Sequence, residues 1–157
     1  DLQVADDDVW VILHRVHNPG NLGTIIRTAD ATGMSGVILC GDSTDPFSPT
    51  SVKASMGSIF SVPLVVERHV DQVIAWAGSA GIQLVGTSGY ADSAHWDTPF
   101  PRPLGILLGN EGDGIPDDLL TSLDYTTRIP MTGTAESLNL GAAAAVLMYE
   151  VQRNRIQ

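Results

Sequence analysis

The sequence predicts an α/β domain built on a mainly parallel sheet with helices on both faces. Short apolar runs, among them Val9–Leu13, Gly36–Cys40 and Leu104–Leu108, alternate with segments of helical spacing. Alternation of that kind is the pattern of strands joined by helical crossovers. The length of 157 residues fits one domain, and 16 glycines and 9 prolines scattered along the chain mark many turns between short elements. No internal repeat, low-complexity tract or linker divides residues 1–157.

Taken in order, Val9–Leu13 reads as a buried strand because all five residues are apolar. After an Asn-Pro-Gly-Asn turn, Leu22–Thr32 has helical spacing through Leu22, Ile25, Ile26 and Ala29, and Gly33 stops it. Gly36–Cys40 is a second strand, Pro49–Met56 a short helix and Val62–Val66 a third strand. Val70, Val73, Ile74 and Ala77 give a helix over 70–80, ended by Gly81. Gln83–Thr87 and Leu104–Leu108 are strands separated by a polar, aromatic loop. Asp117–Leu123 is a short helix behind Pro116, Tyr125–Ile129 the last strand, and Leu140–Arg155 a long terminal helix.

Composition narrows the functional classes. Cys40 is the single cysteine, so no internal disulfide is possible and a reducing cytoplasm is the expected home. No apolar run approaches the roughly 20 residues needed to cross a bilayer. The acidic start, Asp1–Asp8, is not the basic and apolar pattern of a secretory leader, and the missing initiator Met implies a fragment or a processed chain. A net charge of −10 argues against broad nucleic-acid binding, which rests on phosphate contacts from Lys and Arg. His14, His17, His69 and His95 fit no metal pattern, and Asp113, Asp117 and Asp118 match no cage spacing. No Gly-x-Gly-x-x-Gly follows a strand with an acid about twenty residues on, which disfavours a dinucleotide-dependent oxidoreductase.

Three segments carry candidate chemistry. In Asn18-Pro19-Gly20-Asn21-Leu22-Gly23-Thr24-Ile25-Ile26-Arg27, the glycines allow close approach of backbone and Asn21 can cap the helix. Arg27 lies one turn beyond Gly23; spacing alone also fits an arginine extending to solvent. Leu107-Leu108-Gly109-Asn110-Glu111-Gly112-Asp113-Gly114-Ile115-Pro116 runs a strand into glycines, placing main-chain donors and acceptors at the carboxyl edge of the sheet. Glu111 there can orient a partner, or be a solvated acid in a turn. Ile129-Pro130-Met131 precedes Ser137-Leu138-Asn139-Leu140, where Ser137 or Asn139 serves as an N-cap of the last helix. Trp96 and Phe100 can stack on bases but are expected to cover the core, and His17 is expected to be a solvated turn residue.

In this order and spacing the three segments resemble the signature motifs of the SpoU (TrmH) family of RNA ribose 2′-O-methyltransferases, within the SPOUT superfamily. The resemblance extends from Val11 to Glu150. It implies a SPOUT fold with a C-terminal trefoil knot, which periodicity could not indicate. It also implies S-adenosyl-L-methionine as cofactor, RNA (rRNA or tRNA) as substrate and a homodimer, with no metal or membrane partner. Residues 1–157 would be the catalytic domain, without the N-terminal RNA-binding domain that many relatives carry. A non-catalytic RNA-binding or assembly module retaining the fold is the rival reading.

Carried onto matching positions, the resemblance places Gly109, Ile129 and Leu138 against the cofactor. Leu108 and Met131 flank them, and Thr87 is added because it ends a strand at the same edge. Arg27 matches the essential arginine of the first motif. Asn21, Glu111, Ser137 and Asn139 match the remaining polar positions and would orient the ribose or Arg27. One departure is Gly141, where many relatives have serine.

Overall fold

The computed structural model describes residues 2–156. Its elements are β1 (Val9–His14), α1 (Pro19–Ala31), β2 (Gly36–Cys40), α2 (Pro49–Ser55), β3 (Leu64–Glu67), α3 (Val70–Ser79), β4 (Gln83–Thr87), β5 (Leu104–Leu108), α4 (Asp117–Leu120), β6 (Tyr125–Thr127) and α5 (Leu140–Ile156). Single 3-10 turns lie at Ser58–Phe60 and His95–Asp97. The strands form one six-stranded sheet in the order β3-β2-β1-β5-β4-β6, and every pairing is parallel.

The all-apolar runs follow from burial on both faces. Along β1, Val9, Val11 and Leu13 enter one core with Val37, Leu39, Leu104, Ile106 and Leu108. Helices α1 and α5 close that core through Leu22, Ile25, Ile26, Leu147 and Met148. The alternate residues Trp10 and Ile12 face a second core with Ile38, Cys40, Leu84 and Leu107, closed by Val73 and Ala77 of α3 and Leu119 of α4. Successive strand residues point to opposite faces, so a doubly covered strand must be apolar throughout. Edge strand β3 is only partly buried and Val66 is exposed, as expected where one flank lacks a neighbour.

Four boundaries move by two residues or more. Helix α4 stops at Leu120 rather than Leu123, because the N–H groups of Ser122 and Leu123 turn to the carbonyls three residues back, at Leu119 and Leu120. Helix α1 begins at Pro19 rather than Leu22, because Asn18 is extended and its side chain accepts the Asn21 N–H. Proline at the first helical position gives up only an N–H that has no intrahelical partner. Strand β3 starts at Leu64 rather than Val62, whose N–H is held by Ser58 O in the preceding turn. Strand β6 stops at Thr127, since the Arg128 N–H turns to Ser93 O.

Helices α1 and α2 cross at near contact of their backbones. A Cβ on Gly23 would sit 2.4 Å from Ser51 O and 2.5 Å from Ala54 Cβ, so only glycine permits this approach. Ser51 Oγ, fully buried, donates to Pro19 O at 3.2 Å and pins the start of one helix to the other.

Candidate functional site

The strand order reverses between β1, whose chain continues outward to β2, and β5, whose chain continues past β4 to β6. Ligands of open α/β sheets bind beyond the carboxyl ends of strands at such a switch. A cleft of about 350 Å³ opens there, displaced toward the β5-β4-β6 half. Its walls come from three loops: 87–89 after β4, 108–114 after β5, and 128–143 from the end of β6 into α5.

The loop after β5 owes its form to Gly109. A Cβ there would lie 2.3 Å from both the carbonyl carbon and oxygen of Gly114, a backbone collision that no side-chain movement relieves. Asn110 and Gly114 exchange both backbone hydrogen bonds, at 3.2 and 2.9 Å. Asn110 Oδ1 accepts the N–H groups of Gly112 and Asp113, a local turn typical of asparagine. Its Nδ2 donates to Arg15 O at 2.9 Å, tying this loop to the one after β1.

Glu111 makes the second tie. Its carboxylate accepts the N–H of Asn18 at 2.8 Å and that of His17 at 3.1 Å. Burial alone would push this carboxyl up; the amide N–H groups of Asn18, of Glu111 itself and of His17 outweigh that and hold it below the ordinary glutamate value. A third tie closes the circuit: Asn139 Nδ2 donates to Asn21 Oδ1 at 3.0 Å, while Asn139 Oδ1 accepts the N–H of Ala142 in the first turn of α5. The three motif segments thus meet through side chain to backbone and side chain to side chain bonds.

Of the residues singled out in the sequence, Thr87, Leu108, Gly109, Glu111, Ile129, Met131, Ser137 and Leu138 all line the cleft. Asn21 and Asn139 stand beside it, bonded to each other. Arg27 is not brought to its wall; it is exposed on the outer ridge of α1, and no side-chain hydrogen bond or ion pair engages it among the described residues. Asn139 caps α5, while Ser137 is exposed at the cleft. Residues not anticipated include Asn110, Asn18, Arg128 and Glu136. Arg128 lines the cleft with its guanidinium held by Ala91 O and Asp92 O. The Asn-Pro pair was the available signal for Asn18, since Pro19 marks the first helical residue. Trp96 does not cover the core: it is 56% exposed and its ring meets that of His95 edge-on, whereas Phe100 does pack on the core. His17 is exposed but not merely solvated, because Nδ1 lies 3.2 Å from Asn110 Nδ2.

Among the described residues no group of three His, Cys, Asp or Glu side chains is placed to hold a metal. No helix of the described residues is long and apolar enough to cross a membrane.

A parallel α/β sheet with a cleft beyond the strands' carboxyl ends, lined by glycines, apolar side chains and several polar groups, is an architecture shared by nucleotide-cofactor enzyme domains. The chain belongs to the SpoU rRNA methylase family, whose model matches residues 8–149. It is 41% identical over 160 residues to a 23S rRNA (uridine(2479)-2′-O)-methyltransferase of Streptomyces viridochromogenes, covering 99% of this chain and 56% of that protein. It is 34% identical over 142 residues to the 23S rRNA (guanosine(2553)-2′-O)-methyltransferase RlmP of Bacillus subtilis, covering 90% of this chain and 57% of the relative. Among solved structures, the SpoU methyltransferase AviRb of S. viridochromogenes in complex with AdoMet aligns with a TM-score of 0.93 at 40% identity, over 99% of this chain and 60% of that one. An AdoMet-bound rRNA methyltransferase from Sinorhizobium meliloti aligns equally well, TM-score 0.93 at 40% identity, over 98% of this chain and 59% of that one. The chain therefore spans a little over half the length of these relatives.

Proposed function

We propose that this chain is the catalytic domain of an S-adenosyl-L-methionine-dependent RNA ribose 2′-O-methyltransferase acting on ribosomal RNA. The observation that carries the reading is that the second and third motif segments line one cleft while the first is hydrogen-bonded to both through Glu111 and Asn139, in a fold that superposes on AdoMet-bound SpoU enzymes. The family also supplies the threaded C-terminus, the homodimer and the cytoplasmic setting as parts of this proposal.

The residues present suit the cofactor. Leu108, Ile129, Leu138 and Leu140 offer an apolar slot, and the glycines of 109–114 leave main-chain groups uncovered to read an adenine edge without burying a charge. Glu136 and Asp113 face the same cleft and complement a cationic ligand. When bound, S-adenosyl-L-methionine would supply an electrophilic methyl group, leaving as the neutral thioether S-adenosylhomocysteine while the 2′-hydroxyl proton passes to solvent water.

This chain's residues prepare that exchange. A ribose hydroxyl is a weak nucleophile, so its developing negative charge must be stabilised. Arg27 is suited to clamp the target phosphate and stabilise that charge. It is not a base, because guanidinium stays protonated in proteins. Glu111 fixes the His17–Asn18 turn from which α1 and Arg27 project, and Asn139 fixes Asn21 on the same helix. Ser137, exposed at the cleft, would supply a hydroxyl to orient the ribose.

The test is calorimetric titration with S-adenosyl-L-methionine, followed by transfer of labelled methyl to total ribosomal RNA. Binding of the cofactor with label recovered as 2′-O-methylnucleoside is expected. Failure to bind the cofactor, or label recovered only on bases, overturns the proposal.

A further inference from the structure

The acidic balance of the chain conceals an uneven distribution. Residues 9–29 and 46–66 contain neither Asp nor Glu. These two stretches carry α1 and α2, the helices whose backbones meet at Gly23. Four acids bound these stretches and each accepts a hydrogen bond: Asp8 from Ser35 Oγ at 2.9 Å, Asp30 from Ser58 Oγ at 2.7 Å, Asp45 from the Phe47 N–H at 2.9 Å and Glu67 from the His69 N–H at 3.0 Å.

The cations divide in the same way. Arg102, Arg128, Arg153 and Arg155 are all committed to protein oxygens. Among the described residues Arg15, Arg27, Lys53 and Arg68 have exposed side chains with no hydrogen bond or ion pair, and the first three lie in the acid-free stretches. Around Lys53 the surface is also aromatic. Phe47 and Phe60, 63% and 82% exposed, stand at either end of α2, and Met56 is 69% exposed at its C-terminal cap. In sequence these residues are flanked by the hydroxyl residues Ser48, Thr50 and Ser61.

We infer that the α1–α2 face, centred on Lys53, Phe47 and Phe60, is the docking surface for the single-stranded RNA that flanks the nucleotide to be methylated. The inference rests on the methyltransferase reading above and adds where the RNA lies. Aromatic rings interleaved with unpaired cations are the means by which proteins hold single strands: phosphates neutralise the cations and bases stack on the rings. The face is also continuous with the cleft, since α1 begins at the Asn18 turn that Glu111 holds.

The test is fluorescence anisotropy of the 157-residue chain with a labelled 12-nucleotide oligouridylate across a salt series. Lys53→Ala is expected to flatten the dependence of log K on log salt by about 0.7, the value of one phosphate contact on a single strand. Phe60→Ala is expected to weaken binding at least about fivefold with the slope unchanged. Lys53→Ala combined with Gln72→Lys, which restores the charge on α3 across the sheet, should not recover affinity. The inference is overturned if the wild-type chain does not bind the oligonucleotide at low salt, if the single variants bind as wild type, if the compensated variant recovers, or if the variants alter oligomeric state instead. Calorimetry with S-adenosyl-L-methionine on the same samples separates the two proposals: retained cofactor binding with unaltered RNA affinity removes only the docking surface, and absent cofactor binding removes the reading beneath it.

Discussion

The carboxylate of Glu111 accepts the backbone N–H of Asn18 at 2.8 Å across 93 positions of sequence, joining the loop after β5 to the N-cap of α1. Removing it in Glu111→Ala leaves the His17 and Asn18 amides without that acceptor. The site is exposed, so the expected loss of stability is only about 1 kcal/mol. Methyl transfer should fall much further, because α1 and Arg27 lose their fixed origin. Urea denaturation beside a transfer assay checks both, and a large stability loss with intact turnover would contradict the positioning role.

The same tie sets a pH dependence. The folded value of Glu111 is lowered from 4.5, so its stabilisation is complete above that value and is lost as pH falls through the lowered one. His14 acts in a different window. Burial, then the charge of Arg15, lower its folded value from 6.5, against an opposing effect of Asp118. Its stabilisation is complete above pH 6.5 and lost as pH falls through the lowered value. Melting temperature measured from pH 8 downward should begin to decline below about 6.5. His14→Leu should abolish that first decline and leave the later one, below 4.5, which Glu111→Gln should reduce.

Gly109→Ala tests the main-chain nature of the cleft. Its methyl would meet the Gly114 carbonyl at 2.3 Å, forcing the 110–114 loop outward. A stability cost of about 1–3 kcal/mol is expected from such overpacking. Cofactor affinity should be lost by calorimetry while circular dichroism retains the folded spectrum.

Asn139 has two roles that a pair of substitutions can separate. Asn139→Ala loses both the cap of α5 and the bond to Asn21, with a cost of about 1 kcal/mol. Asn139→Asp keeps an acceptor for Ala142 but cannot donate to Asn21 Oδ1. Its melting temperature should stay near that of the parent while transfer falls. Equal transfer by Asn139→Asp and the parent would show the Asn21 bond to be dispensable.

Arg27 lies off the cleft wall, so Arg27→Lys should leave cofactor affinity within about twofold while turnover drops about 100-fold or more. That magnitude is what loss of a placed transition-state donor costs. A parallel loss of cofactor affinity would place Arg27 in the cofactor site instead.

Much of this fold was legible because burial on both faces makes β1, β2 and β5 uninterrupted apolar runs, and glycine stops after α1 and α3 are unambiguous. The motif residues at the cleft were legible only through the resemblance of the three segments to the SpoU motifs, since singly Glu111 reads equally well as a solvated acid and Ser137 or Asn139 as a helix cap. What stayed hidden depended on three-dimensional proximity. Asn18 and Asn21 are equally good caps by composition, and only the position of Pro19 decides between them. Trp96 reads as core by hydropathy, yet it stands half-exposed on a 3-10 turn, its ring edge-on to that of His95. That Arg27 and Lys53 stand on helices packed against each other is invisible in a net charge, because α1 and α2 meet at Gly23 rather than by sequence adjacency.

The three ties between Glu111 and Asn18, Asn110 and Arg15, and Asn139 and Asn21 each close a loop of more than ninety residues. Such closures are entropically expensive and slow to form, so the pocket should be among the last features to assemble as the chain folds. A nascent or partly unfolded chain would then be unable to capture the methyl donor. Saturating ligand should accordingly slow unfolding more than it speeds refolding, making cofactor retention a direct readout of whether the whole sheet has closed.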